Sequence, residues 1–294
     1  MAAGDRRGEL IQLQVSIENA PPERLESLRA AERALFHALS DQLGLALLAG
    51  VDAQWSRGHV RSLHAPPPPA MRSSFSHPSL RFVEELVIDN PHLDLADQID
   101  LLQSLKPRTL HTVRLKANDG EYRYGGSLSL RPLLTLPALR QLVAEASLLQ
   151  LNAGGQSGAE VLELSALHSP PAVILSWQLP RLKALTLCGR NFNTWHETHQ
   201  GASFVREVGL PPMEWPRLLE PRGFGDRQWA PLLRELTFAG YSVHDEDAAQ
   251  LRPLLEREVA VDLSGCAVSA TALARLEGTP RLRLPVGPID GLED

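Results

Sequence analysis

The sequence predicts an α/β fold in which short parallel strands alternate with helices or irregular returns. Similar clusters of apolar residues recur about every 24 residues over most of the chain. Segments between the clusters carry helical periodicity and begin with acidic residues, as SVHDEDAAQLRPLLER does at 242–257. Residues 8–50, before the repeats begin, carry a longer helical pattern. Together these observations indicate a stack of similar units behind a different N-terminal segment.

The clearest repeat unit is VDLSGCAVSATALARL at 261–276, where Val261, Leu263, Cys266 and Val268 follow the second half of the pattern LxxLxLxx(N/C)xL. We expect strands near 61–64, 84–88, 111–115, 183–187, 234–238 and 259–263. The pattern is that of a leucine-rich repeat, with about ten degenerate copies. The copies start at Val60, Val83, Leu110, Leu139, Ala159, Leu182, Val205, Leu233, Glu258 and Thr279.

Such units stack because a single one cannot bury its own apolar face. The sequence therefore predicts a leucine-rich repeat solenoid over 59–294, with a curved parallel sheet on its concave side. Short helices and loops, including helices near 94–107 and after Asp245, would form the convex side. Cys266 and Asn118 occupy the turn position of their repeats. There a small polar side chain satisfies backbone groups, so we expect Cys266 to be buried and unreactive.

Residues 1–58 are predicted to form a helical cap on the first repeat. Two amphipathic segments, around Leu10–Ile17 and Leu25–Leu39, are separated by Pro21 and Pro22. A cap of this kind shields the end of a repeat stack, which otherwise exposes apolar core. The run APPPPAMRSSFSHP predicts a Pro/Ser-rich loop at 65–79.

RGELIQLQ, the helix LRAAERALFHAL, Trp55 and RGHVRSLHA together resemble the bacterial repeat-companion domain, which commonly precedes leucine-rich repeats. The resemblance covers residues 4–65. In the family an acidic, tryptophan-bearing helix precedes the motif GDxRGE, whereas this chain begins at GDRRGE, so either the start is truncated or the cap is shortened here. The family has no established catalytic residues, so the resemblance assigns none here.

Composition argues against several classes of function. The net charge of −6 disfavours a nucleic-acid partner, which normally requires a basic face. The longest apolar run, LGLALLAGV, is too short to span a membrane. The first residues do not form a signal peptide, and two cysteines alone make no disulfide framework, so we expect a cytoplasmic protein.

His196 and His199, in WHETH, leave an enzymatic alternative open, a metal-dependent hydrolase that uses this histidine-containing loop. The spacing is HExH, whereas zinc helices place two histidines at i and i+4 in HExxH. No third ligand is evident nearby. We therefore expect no metal, no cofactor and no catalytic residue, with the histidines on a polar loop or helix face.

The preferred hypothesis is a non-enzymatic scaffold that binds another protein. Solenoids usually bind partners on the concave face, and the 190–229 loops concentrate aromatic residues, among them Phe192, Phe204, Phe224 and Trp229. Tryptophan and arginine are frequent in binding hot spots. The expected partner-binding residues on the concave face and loops are Arg114, Arg140, Lys183, Arg206, Glu207, Arg234, Glu235, Trp195 and Trp215.

Overall fold

The computed structural model describes residues 6–43, 52–64, 80, 82–89, 102, 108–116, 128–150, 154–167, 174, 176–189, 195–199, 202–206, 213–214 and 229–285. Three helices open the chain: α1 (Arg7–Glu18), α2 (Pro22–Ala38) and α3 (Ser40–Leu43). Three more follow within the described ranges: α4 (Arg131–Leu134), α5 (Asp245–Glu256) and α6 (Ala270–Leu276). None of the helices in these ranges combines the length and apolar character of a membrane span.

The six strands that the repeat pattern predicts lie at their expected positions, and further strands are present. The first half of the chain contains β1 (Asp52–Ser56), β2 (His59–His64), β3 (Glu85–Asp89), β4 (Thr112–Lys116), β5 (Leu128–Ser129), β6 (Gln141–Gln150), β7 (Gly155–Gln156) and β8 (Val161–Leu167). The second half contains β9 (Trp177–Gln178), β10 (Ala184–Gly189), β11 (Trp195–His199), β12 (Ala202–Arg206), β13 (Met213–Glu214), β14 (Glu235–Val243), β15 (Ala260–Val268) and β16 (Leu282–Arg283).

These strands form an α/β structure with a largely parallel sheet. The main sheet has the order β1-β2-β3-β4-β6-β8-β10-β14-β15-β16 and is parallel from β2 onward. The short strand β5 pairs with β6, and the short strand β13 pairs with β14. Strands β7 and β9 form a separate two-stranded sheet. Successive repeats therefore lie side by side in chain order, as consecutive parallel units do when their connections are short.

Columns of apolar side chains run across the sheet because each strand pairs with the next in equivalent register. Burying each leucine stabilises the fold by about 1.5–3 kcal/mol. The first column contains Leu63, Leu86, Val113, Leu142, Leu162, Leu185, Leu236 and Val261. The second contains Ile88, Leu115, Ala144, Leu164, Leu187 and Phe238. Every member of both columns is buried.

The N-terminal helices dock on a β-hairpin that the sequence did not predict. Strand β1 pairs antiparallel with β2, so the expected purely helical cap at 1–58 also contributes a strand to the main sheet. The hairpin turn contains Gly58, whose φ is 74° and whose N–H donates to the buried Gln14 Oε1 at 2.8 Å. Phe36 of α2 packs edge-on against Trp55 of β1. These contacts join α1 and α2 to the first strands.

One predicted repeat, the copy starting at Val205, is wrong. Val205 lies in β12, which pairs antiparallel with β11 in a separate two-stranded sheet, and β10 pairs directly with β14. The end pair His199↔Ala202 leaves only two residues between the strands, the shortest common hairpin connection. A local hairpin closes a shorter loop than insertion into the parallel sheet requires, and so loses less chain entropy.

Helix boundaries follow the expected capping chemistry with one shift. Asp245 is the first residue of α5 rather than its cap. The N–H of His244, immediately before the helix, donates to Asp247 Oδ2 at 2.8 Å, which is half of a capping box. Ser269 caps α6 by accepting from the N–H of Ala272. Of the helix expected at 94–107, only Leu102, which is helical and buried, lies within the described residues.

Candidate partner-binding face

The face of the sheet opposite the apolar columns carries two rows of side chains, and we call it the open face. Strand alternation places every second residue here. The first row contains Glu85, Thr112, Gln141, Val161, Ala184, Glu235 and Ala260. The second contains Val87, Arg114, Val143, Glu163, Thr186, Thr237, Asp262 and Arg283.

The centre of the open face is weakly polar. Val143 of β6, Val161 of β8 and Ala184 of β10 are each partly exposed there. Gln141 and Thr186 complete the patch and are also partly exposed. We call these five residues the central patch. Glu163 of β8 also lies here, in the second row between Val143 and Thr186, so the centre combines solvent-accessible apolar surface with a carboxylate, between two more charged ends.

The N-terminal end of the open face carries ion pairs between neighbouring repeats. Arg61 pairs with Glu84, and Arg114 Nε lies 3.3 Å from Glu85 Oε1. All four side chains are more than a third exposed, so each pair adds only tenths of a kcal/mol to stability. Arg114 is therefore on the face where the sequence placed it, but its charge is shared with an acid.

Lys183 makes the equivalent pair one residue before β10. Its Nζ lies 2.6 Å from Glu160 Oε2, and this hydrogen bond holds the pKa of Glu160 below its ordinary value. Arg140 is exposed and adds a smaller electrostatic contribution in the same direction. Acidic and basic side chains of neighbouring strands are therefore paired at this position as well.

The C-terminal end of the open face carries the charges with fewest partners. Arg234 and Glu235 are both exposed and form no ion pair within the described part of the chain. Glu235 also lines a cleft of about 500 Å³ at this end of the face. The other polar residues of its lining are Thr237, Asp262, Arg281 and Arg283. Burial by itself would raise the pKa of Asp262, but hydrogen bonds from Ser264 and Arg283 outweigh it and lower the pKa.

Four of the expected binding residues are not placed on the open face. Arg206 ends β12 in the separate hairpin, so the prediction that it belongs to the concave column is wrong. Trp195 begins β11 of the same hairpin, and Glu207 and Trp215 lie outside the described residues. Among the aromatic residues of 190–229, Trp229 is a core residue whose Nε1–H donates to the buried carbonyl of Ile174 at 3.2 Å.

Apart from Arg114, sequence reasoning missed the second row of the open face. It followed the residues just after the first repeat position, such as Glu84 and Lys183, which precede their strands, and the residue next to each of them. Val143, Asp262 and Arg283 were overlooked although they alternate with the buried leucines. Strict period-two alternation, applied strand by strand, would have identified them.

The histidine pair has no helical geometry. His196 and His199 lie on β11, an extended strand paired with β12, so the arrangement that HExxH creates on a helix does not arise. The expected loop or helix is therefore a strand. The described residues contain no cluster of three histidine, cysteine or acidic side chains able to hold a metal ion.

Cys266 is a structural residue, as the repeat pattern predicts. Its side chain is buried, and its Sγ–H donates to the carbonyl oxygen of Phe238 at 3.3 Å. Burial raises the pKa of the thiol to about 12, which removes the thiolate needed for reactivity. Asn118, the other residue predicted for this role, lies outside the described residues.

Cys188 and Cys266 are both free, and the strand order keeps them apart. Cys188 pairs with Ala239 on β14, which in turn pairs with Gly265 on β15. Two inter-strand spacings amount to roughly 9.6 Å, beyond the ~7 Å that a disulfide spans between Cα atoms. The sheet geometry therefore excludes a bond between the two thiols.

No known protein family model matches the chain, and none of the curated proteins matches it. Solved structures that resemble it include a structural-genomics crystal structure of a Bacteroides fragilis protein, with 14% sequence identity and a TM-score of 0.45. The match covers 74% of this chain and 69% of the Bacteroides chain.

Proposed function

We propose that this chain is a non-enzymatic scaffold of the leucine-rich repeat type. It binds a partner protein through the open face, which is the concave side of the solenoid, together with the 190–229 segment. The leucine columns, which keep an equivalent register from strand to strand, support the repeat assignment, as does Cys266 at the turn position of the repeat pattern. The contacts of α1 and α2 with the β1–β2 hairpin support the cap.

One observation carries the binding proposal, namely the distribution of polarity over the open face. Apolar surface around Val143 and Val161, with the Glu163 carboxylate beside it, lies between more highly charged ends, and protein interfaces have a similar arrangement of apolar core and polar rim. The parallel strands hold these side chains on a fixed backbone, so binding requires little ordering of the surface. A broad, rigid surface of this type suits a folded partner better than a small substrate.

The test is affinity capture of partner proteins from a lysate of the organism of origin. Wild-type protein is compared with a variant that carries a charged residue in the central patch. Val161→Arg places a long cation between Gln141 and Ala184 without entering the leucine core, so the fold should survive. We expect it to abolish capture of a partner that wild-type protein retains. Arg252→Glu on the exposed surface of α5 is the matched control and should capture normally. Equal capture by wild type and Val161→Arg, with both proteins folded by circular dichroism, would reject the central patch as the main binding surface.

Metal analysis of the purified protein separates the scaffold from the hydrolase alternative. We expect no stoichiometric zinc and no change of metal content in His196→Ala. Zinc bound at one equivalent and lost in that variant would contradict a non-enzymatic role.

A further inference from the structure

The cleft at the C-terminal end of the open face has walls of opposite charge. Its volume is about 500 Å³. In the first row, Glu235 of β14 pairs in register with Ala260 of β15. Arg281 immediately precedes β16, whose first residue, Leu282, pairs with Val261 of β15. Ala260 lies between Glu235 and Arg281, and its methyl group is too small to fill the space between these two side chains. Glu235 and Arg281 therefore line opposite sides of the cleft with exposed space between them.

The basic wall keeps hydrogen-bonding capacity free. Arg281 Nη1 donates to the carbonyl of Glu258 at 2.7 Å and lies 3.4 Å from its carboxylate. Arg283 Nη1 lies 3.3 Å from Asp262 Oδ2. Within the described residues both guanidinium groups thus bond through one terminal nitrogen, and they are 54% and 76% exposed. A guanidinium presents five N–H donors in a fork that fits a carboxylate.

The acidic wall, formed by Glu235, has fewer charged partners than the basic wall. Glu235 is exposed and has no ion pair within the described part of the chain. A carboxylate in this position repels phosphate and other simple anions, and the two arginines opposite repel a metal ion. A ligand that satisfies both walls must carry a negative and a positive group.

The separation of the walls decides what kind of ligand this is. Glu235 lies on β14 and Arg281 immediately precedes β16, two strand positions away, which separates their backbones by roughly 10 Å. The carboxylate and ammonium of one free amino acid are too close together to reach both walls. In a polyproline II segment, which has three residues per turn and rises about 3.1 Å per residue, side chains three residues apart point to the same side and span about 9 Å.

We infer that the cleft binds a polypeptide segment of the partner protein that presents an acidic and a basic side chain about three residues apart. The acidic group contacts Arg281 and Arg283, and the basic group contacts Glu235. Thr237 lies beside Glu235 on β14 and supplies a hydroxyl to the peptide backbone, while Asp262, between the walls on β15, stays paired with Arg283. This inference rests on the proposed function, since it specifies the partner chemistry at one end of the open face.

Blocked tetrapeptides test the cleft directly. The probe is acetyl-Glu-Gly-Gly-Lys-amide, compared with the all-acidic Glu/Glu, all-basic Lys/Lys and neutral Gln/Gln versions. Binding is followed by NMR on the backbone and methyl resonances of Ala260 at low ionic strength, where exposed charges are least screened. We expect the mixed-charge peptide to shift Ala260 and to bind at least tenfold more tightly than the other three.

Two substitutions assign the walls. Glu235→Gln should reduce the affinity of the mixed peptide to that of the all-acidic one, and Arg281→Gln should reduce it to that of the all-basic one. Arg252→Gln on α5 is the matched control and should leave binding unchanged. Equal binding of the mixed and all-acidic peptides, or competition by inorganic phosphate, would overturn the inference in favour of a simple anion site. Absence of any shift at Ala260 would also overturn it.

The two proposals fail separately. The peptide probes report only on the cleft, whereas Val161→Arg changes only the central patch. Loss of capture in Val161→Arg, together with no peptide binding, rejects the cleft and retains the scaffold. Peptide binding together with full capture by Val161→Arg retains the cleft and rejects the central patch as the main contact.

Discussion

The thiol of Cys266 donates to the carbonyl oxygen of Phe238 at 3.3 Å and so joins β15 to β14 beneath the open face. Both residues are buried. The pairing of β14 with β15 shifts register between Thr237 and Ala239, and the Phe238 carbonyl at that irregularity is satisfied by a side chain of the neighbouring strand. The bond links neighbouring repeats by means other than the sheet ladder.

Replacing Cys266 tests this link. Cys266→Ala should lower the free energy of unfolding by about 1–3 kcal/mol, because it removes a weak hydrogen bond and leaves a small cavity. Cys266→Leu should cost more, since it overpacks the turn. Cys266→Asn should be milder, because asparagine takes the same position in related repeats. Urea unfolding followed by circular dichroism provides the measurement.

The thiol should also be protected in the folded protein. Its pKa of about 12 leaves little thiolate at pH 8. In a Cys188→Ser background, iodoacetamide should modify Cys266 only when urea unfolds the chain. Rapid modification of the native protein would show that the residue is accessible and contradict its structural role.

A glycine pair tests the packing of Trp177. A Cβ on Gly155 would lie 2.5 Å from the nearest ring atom of this buried tryptophan, whereas a Cβ on Gly158 meets only the Leu139 carbonyl at 3.5 Å. Gly155→Ala should therefore destabilise the protein by about 1–3 kcal/mol through overpacking. Gly158→Ala is the matched control and should change stability by less than about 1 kcal/mol. Similar unfolding midpoints for the two variants would be inconsistent with this packing.

The junction between α1 and the β1–β2 hairpin depends on Gln14. Its Oε1 accepts from the N–H of Gly58 at 2.8 Å, and the residue is buried. Gln14→Ala leaves that buried N–H without an acceptor and should cost about 1–3 kcal/mol. Gln12→Ala, on the exposed side of the same helix, should have little effect. Hydrogen exchange of the Gly58 amide provides a local readout, with faster exchange expected only in Gln14→Ala.

The Glu160–Lys183 pair predicts a pH dependence of known sign. Lys183 lowers the pKa of Glu160 in the folded protein, so the pair stabilises the fold above the unfolded-state pKa. That contribution disappears as pH falls through the lower, folded-state pKa. Wild type should exceed Lys183→Gln in stability by tenths of a kcal/mol at pH 7, because both groups are partly exposed.

The difference should vanish below about pH 3 and shrink in 1 M salt. Unfolding midpoints of the wild type, each single variant and the Glu160→Gln/Lys183→Gln double variant, taken across this pH range, isolate the coupling. A difference that stays constant from pH 7 to pH 2 would exclude this pair as its source.

The sequence by itself determined where the main strands lie and what Cys266 does. Apolar residues at the first, fourth and sixth repeat positions can be buried only if each strand takes one register. Leu185 and Leu236 therefore pair as the pattern requires. The same local pattern identified α1, α2 and α5, because helical periodicity and acidic first turns are properties of neighbouring residues.

Only the tertiary structure decided which candidate residues share a surface. The apolar spacing around Val205 is compatible with both a repeat and a hairpin, and pairing with β11 selects the hairpin and removes Arg206 from the main sheet. The antiparallel β1 likewise depends on the Gly58 turn and the docked α1. Charge partners such as Lys183 and Glu160 are 23 residues apart, and their contact exists only because consecutive repeats stack in register. Spacing along a chain sets which side of a strand a residue occupies, but the distances between strands arise from the packed fold.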